Sequence, residues 1–212
     1  MKNLIRCGLL LSAALVVSSA MAEGGGQPLL SQGANEVWDV IAGETRLVDI
    51  PLDVTGIPSF GGFGDAGNTV MDIDVAALAG APSGTDMVME GVGWDVVLSA
   101  FSPSWISEIS VQFNNATADS PEAINLAPGA GNNAPALGVP FASGGVLDFV
   151  DAGLAYIPLP GGILHMEFFE GFDDSTVAPD GNWDQGTLTL RVVPEPASLL
   201  LIALGALALR RR

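Results

Sequence analysis

The chain has 212 residues, 24 of them acidic and 7 basic, for a formal charge of −17, and 49% of it is hydrophobic. So strong an acid excess excludes binding to a nucleic acid backbone, which needs clusters of Lys and Arg. A single cysteine, Cys7, and a single histidine, His165, exclude a disulfide framework, a thiolate metal centre and a multi-histidine site.

In chain order, Lys2 and Arg6 form a basic n-region, residues 9–17 an apolar h-region, and Ala20-Met21-Ala22 a small-residue cleavage site. Residues 1–22 therefore read as a signal peptide that signal peptidase removes after Ala22, leaving Glu23 as the new terminus. Cys7 precedes the h-region, so it is not a lipidation site. Residues 23–191 form the exported body. Five of the seven basic residues lie in the flanks, so only Arg46 and Arg191 offset the body's 23 acids, a body charge of −21. The body holds no cysteine, and at roughly 170 residues it is long enough to bury a single sufficient core.

The body reads as short strands with a period of two, broken by Gly and Pro. Met71, Ile73 and Val75 alternate with Asp72 and Asp74, and residues 75–79 carry a helical bias. Trp94, Val96 and Leu98 alternate with Asp95, Val97 and Ser99. Trp105, Ile109, Val111 and Phe113 are assigned to one face, with Ile106, Glu108, Ser110 and Gln112 on the other. Leu164, Met166 and Phe168 alternate with His165, Glu167 and Phe169, and Leu188, Leu190 and Val192 with Thr187, Thr189 and Arg191. This pattern predicts an all-β domain, an antiparallel β-sandwich of jelly-roll type, between the signal peptide and a C-terminal hydrophobic helix. The Gly-, Asn- and Pro-rich residues 121–140 are expected to be the least structured part of the body, with residues 127–133, which lack any period, forming a surface loop.

Chemistry-bearing clusters are few. Asp180, Asn182 and Asp184 stand at alternate positions of Asp180-Gly181-Asn182-Trp183-Asp184, with Asp173 and Asp174 just upstream. Oxygen ligands on a loop suit calcium, which takes six to eight of them. The EF-hand template fails, because its twelfth position is Arg191 rather than Glu. The competing expectation is an acidic turn before the last strand. His165 lies mid-strand beside Glu167, and no nucleophile elbow, phosphate loop or zinc helix is present. The sequence therefore predicts no catalytic residues and no cofactor other than calcium at that turn. Trp38, Trp183 and Phe172 are the aromatics considered for stacking against sugars.

The tail, residues 192–212, combines Val193-Pro194-Glu195-Pro196-Ala197-Ser198 with an apolar run over 197–209 and Arg210-Arg211-Arg212. As a helix the run would be about 20 Å long, short for a permanent span. The arginines favour a cytoplasmic end. This tail resembles the PEP-CTERM sorting signal of Gram-negative bacteria. The resemblance implies recognition of Pro194, Glu195 and Pro196 by exosortase, transient residence in the inner membrane and delivery to the cell surface or outside. Producers of this family typically make exopolysaccharide, which implies an extracellular matrix or biofilm setting. Two body segments also carry likenesses. Residues 64–70, 91–96 and 104–108 resemble an arrangement in uncharacterised exported bacterial proteins. The carboxyl half is similar to the jelly-roll P-domain of secreted proteases, and this likeness implies the sandwich and no catalytic set.

The resulting expectation is a non-catalytic, exosortase-processed surface or matrix protein that associates with exopolysaccharide. A calcium-dependent carbohydrate-binding module and a secreted hydrolase of unfamiliar type are the alternatives.

Overall fold

The computed structural model describes residues 47–172 and 179–195. The predicted signal peptide and the apolar run of the tail lie outside them. Among the described residues the strands are β1 (Val48–Asp53), β2 (Ile57–Ser59), β3 (Thr69–Asp74), β4 (Met87–Ala100), β5 (Ile109–Asn115) and β6 (Ile124–Leu126). They continue with β7 (Ala136–Ala142), β8 (Leu147–Asp148), β9 (Ile157–Leu159), β10 (Ile163–Glu170) and β11 (Gly181–Pro194). One sheet has the order β1-β11-β4-β7, with β2 on β11 and β8 and β9 on β4; the other has the order β3-β10-β5-β6. Every pairing is antiparallel.

With short β2, β8 and β9 set aside, successive strands interleave between the sheets as first-eighth-third-sixth and second-seventh-fourth-fifth. That is the strand order of a jelly roll, as the alternation predicts. Side chains alternate across each strand. Trp94, Val96 and Leu98 of β4 therefore meet Met166 and Phe168 of β10 and Val111 and Phe113 of β5 in one core. Trp183 joins them fully buried, its ring edge-on to Phe168 at a centroid distance of 5.4 Å.

β4 and β11 pair from Gly181↔Ala100 to Pro194↔Met87, interrupted by two irregularities. At the first, Gly186 sits at φ 128°, and a Cβ there would lie 2.2 Å from the Asp95 carbonyl oxygen. Only glycine permits that approach. α1 (Val75–Leu78) falls where the helical bias predicts it, with Asp74 Oδ1 accepting from the Ala77 N–H at 2.8 Å.

Four readings are corrected. Trp105 does not share the core row of Ile109, Val111 and Phe113. A 3₁₀ turn over Ile106–Glu108 resets the phase, burying Ile106 and exposing Trp105. Residues 127–133 are not a free surface loop within an unstructured stretch. Residues 121–140 hold β6 and most of β7, and the backbone between is pinned by Ile106 N–H to Ala134 O (3.2 Å) and Ser107 N–H to Asn132 O (3.1 Å). Gly129 is buried so tightly that a Cβ would meet Ile106 Cγ2 at 2.4 Å. Residues 181–184 are strand rather than turn, and Trp183 is core rather than a surface ring. The outer row of β10 is also covered, with Glu167 and Phe169 buried beneath residues 60–68.

Removing a fully buried aromatic ring costs about 3–5 kcal/mol. Trp183→Ala should lower the unfolding free energy by about that amount in a urea titration. A loss below about 1 kcal/mol would show that the ring does not pack the core as described.

Candidate functional site

The strand registers divide the sandwich into two poles. β10 ends at Glu170↔Ile109, β2 and β4 end opposite Gly181, and β3 starts at Thr69↔Phe168. Residues 60–68, 101–108, 127–135, 171–172 and 179–180 therefore lie at one pole. α1, residues 116–123, the turn Pro160–Gly162 and the end of β11 occupy the other. With 14 residues in β11, the poles lie about 40 Å apart at about 3.3 Å per residue.

All the strongly exposed aromatics among the described residues stand in loops of the first pole. They are Phe63 (52% exposed), Phe101 (40%), Trp105 (43%) and Phe172 (63%). Their loops are stitched together through the backbone. Phe101 N–H donates to Asp180 O (2.8 Å), Gly171 N–H to Glu108 O (2.7 Å) and Glu170 N–H to Gly61 O (2.8 Å). Trp105 N–H donates to Glu108 Oε2 at 2.7 Å, which fixes the turn carrying the indole.

Phe63 owes its place to a buried carboxylate. Glu167 Oε1 accepts from Gly64 N–H (2.6 Å) and from Asn68 Nδ2 (2.7 Å). Asn68 also accepts from Gly61 N–H (3.1 Å) and donates to Gly62 O (2.9 Å). Burying a carboxyl group requires hydrogen bonds that compensate its lost hydration. The loop so held presses the Phe63 ring edge-on against Phe169 at 5.4 Å. Behind this pole the buried polar residues Ser59, Glu170 and Asp180 lie close to the end of the core.

The sequence-derived calcium residues are placed as follows. Asp180 is buried, whereas Asn182 and Asp184 are half-buried on the outer face of β11. Asn182 Nδ2 donates to Asp184 Oδ1 (2.9 Å), and Asp184 Oδ2 accepts from Ser99 Oγ, so both oxygens are engaged. Asp173 and Asp174 lie outside the described residues, and among the described residues no group of three His, Cys, Asp or Glu side chains is gathered for a metal ion. His165 Nδ1 lies 2.7 Å from Asp72 Oδ1, and its partner across β5 is Asn114. Neither neighbour is a serine, threonine or cysteine.

A shallow cleft of about 260 Å³ opens on the outer face of the larger sheet, between Gly93, Asp95, Thr187 and Thr189 and the turn over 142–146. On the same sheet Arg191, the one Lys or Arg among the described residues, forks onto Asp49 at 2.8 and 2.9 Å. Burial, then the neighbouring Asp148, pushes the Glu90 carboxyl above its usual range against the pull of Arg191. Burial and the same carboxylates push the Tyr156 hydroxyl up to about 12. These groups form an acidic patch around one guanidinium.

Of the aromatics considered from sequence, Phe172 is at the exposed pole, Trp183 is core and Trp38 lies outside the described residues. Phe63, Phe101 and Trp105 were missed. Phe63 sits in Gly61-Gly62-Phe63-Gly64, where no alternating row exists to bury it, and that flanking was the available signal.

At the opposite pole β11 delivers Val193, Pro194 and Glu195 to the tail. Residues 192–212 match the PEP-CTERM protein-sorting motif. The PEP-CTERM motif marks an exported protein that passes by way of the membrane and is processed by exosortase. Pro194, Glu195 and Pro196, the expected recognition residues, lie within the matched segment, with Pro196 outside the described residues. No curated protein matches the chain. Among solved structures, the chain is similar to one in the structure of Cocksfoot mottle virus, at 14% identity over 89% of this chain and 95% of that one, with a TM-score of 0.28. It is also similar to a chain of Desmodium yellow mottle tymovirus, at 8% identity over 85% and 95%, TM-score 0.28. A nora virus chain matches at 12% over 78% and 66%, TM-score 0.26. At these scores the fold assignment rests on the strand order.

The raised Glu90 carboxyl has a signed consequence. The unfolded chain ionises at the ordinary value, near 4.3, so stability falls as pH rises from there through the folded value. Glu90→Gln should therefore raise the melting temperature at pH 7 and leave it unchanged below about pH 4. An equal shift at both pH values would assign the effect to packing rather than ionisation.

Proposed function

We propose that this protein is a non-catalytic component of the cell surface or extracellular matrix, which exosortase processes and which holds exopolysaccharide through its aromatic loop pole. The observation that carries this reading is the confinement of Phe63, Phe101, Trp105 and Phe172 to the pole farthest from the sorting segment. Exposed apolar groups rimmed by polar residues mark interaction sites, and flat rings suit the C–H faces of sugar rings. The rings are held on loops stitched by backbone hydrogen bonds, which lowers the ordering cost of binding. With Arg46 and Arg191 alone against 23 acids, the body disfavours anionic polymers and suits neutral or amine-bearing glycans.

The test is retention of the exported, mature protein on insoluble cellulose and on partly deacetylated chitin, with alginate as the anionic control. Wild type should bind at least one of the first two and not alginate. The variant Phe63→Ala, Trp105→Ala, Phe172→Ala should lose about tenfold or more in affinity, since each exposed anchor is worth about 1 kcal/mol or less to 2, at an unchanged melting temperature. Retention that survives the triple change would remove the pole from the account. Release of reducing sugar by the wild type would make it an enzyme.

A further inference from the structure

The sorting tripeptide is not on a free tail. β11 runs to Pro194, so the folded sandwich and the sorting motif share Val192, Val193 and Pro194. Val192 is fully buried and held from both sides, opposite Val48 of β1 and Met89 of β4. Val193 is 5% exposed and pairs with Val88, Pro194 pairs with Met87, and Glu195 N–H donates to Asp86 O at 3.0 Å. Pro196 alone separates that last hydrogen bond from the apolar run beginning at Ala197. From Val192 to Ala197 even a fully extended chain spans only about 17 Å.

A peptidase binds its substrate backbone in extended form in its own cleft, and a backbone already paired in a sheet cannot be in both places. The pairing also weakens in a definite order. Residues 187–192 have two neighbouring strands, whereas among the described residues 193–195 pair with β4 and its flank alone. Pro194 has no N–H to donate. The end of β11 is thus the part of the strand that opens at least cost, while Val192 stays in the core.

We propose that residues 193–195 form a fold-gated sorting site: exosortase reads Pro194-Glu195-Pro196 only after the end of β11 peels from Asp86–Val88 of β4 and its flank. Maturation is then paced by local opening of this strand end as well as by the peptidase. The proposal rests on the exosortase processing that the motif implies.

The test locks the strand end. Val88→Cys with Val193→Cys places two thiols at directly opposed positions in a chain whose other cysteine, Cys7, precedes the expected signal cleavage. In a host supplying exosortase, pulse–chase of the full chain should show the oxidised double variant persisting as precursor, at least tenfold slower to mature than wild type. Each single variant, and the double variant under reductant, should mature at the wild-type rate. A second variant does not depend on the disulfide. Six Gly-Ser residues inserted between Val193 and Pro194 should speed maturation several-fold, because the tripeptide then clears the sheet without opening it. A locked protein that matures like wild type, or a spacer that changes nothing, overturns the gate. Failure of wild type itself to mature when exosortase is present would overturn the sorting reading instead.

Discussion

The long antiparallel pairing of β4 with β11 is the interaction on which the rest of the structure depends. Each strand is 14 residues long, and each is flanked on its far side by shorter strands that have no other place in that sheet. β1 and β2 pair β11, while β7, β8 and β9 pair β4. The inward rows of the two long strands supply Trp94, Val96, Leu98, Trp183, Leu188 and Leu190, on which the second sheet closes. The same pair sets the distance between the poles. It places the aromatic loops at one end and the sorting motif at the other.

Acidity is used locally rather than gathered into a site. Asp53 accepts from Thr55, Asp65 from Gly67, and Asp148 from Val150 and Asp151, each closing a turn. Hydrogen bonds from Thr55, from Ser83 and Ala77, and from Thr117 and Asn115 hold Asp53, Asp74 and Asp119 respectively below the usual carboxylate range. Their contribution is present above the unfolded value near 3.9 and is lost as pH falls through the folded values. Glu90 acts with the opposite sign. An excess of carboxylates is therefore compatible with a folded body even though Arg191 is the one fixed cation in the described sandwich.

The sequence made the architecture legible wherever alternation ran unbroken. The rows Trp94-Val96-Leu98, Leu164-Met166-Phe168 and Leu188-Leu190-Val192 are all core. It failed where the phase is reset. Trp183 and Leu188 both face inward although they are five positions apart, because the irregularity before Gln185 shifts the register between them. The 3₁₀ turn does the same between Trp105 and Ile109. Gly129 is buried by close approach of its backbone to Ile106, which hydropathy does not encode. The candidate site was legible only at Phe172 for a related reason: whether an aromatic is exposed depends on loop packing between distant segments. The sorting motif was fully legible because it is a linear signal, but its overlap with the last strand is a property of the fold.

The arrangement of the two poles has a mechanical consequence. A load drawn between the tail and the loop pole runs along β11 and slides it against β4 and β1. Antiparallel hydrogen bonds lie perpendicular to the strands, so such a pull strains many of them at once. A load applied between the residues entering at Val48 and those leaving at Pro194, which lie at the same pole, would instead open the β1–β11 ladder one pair at a time. Forced unfolding is governed by rate rather than by equilibrium stability. The sandwich is therefore built to resist tension along its length far better than separation of its own ends, an anisotropy suited to a tether.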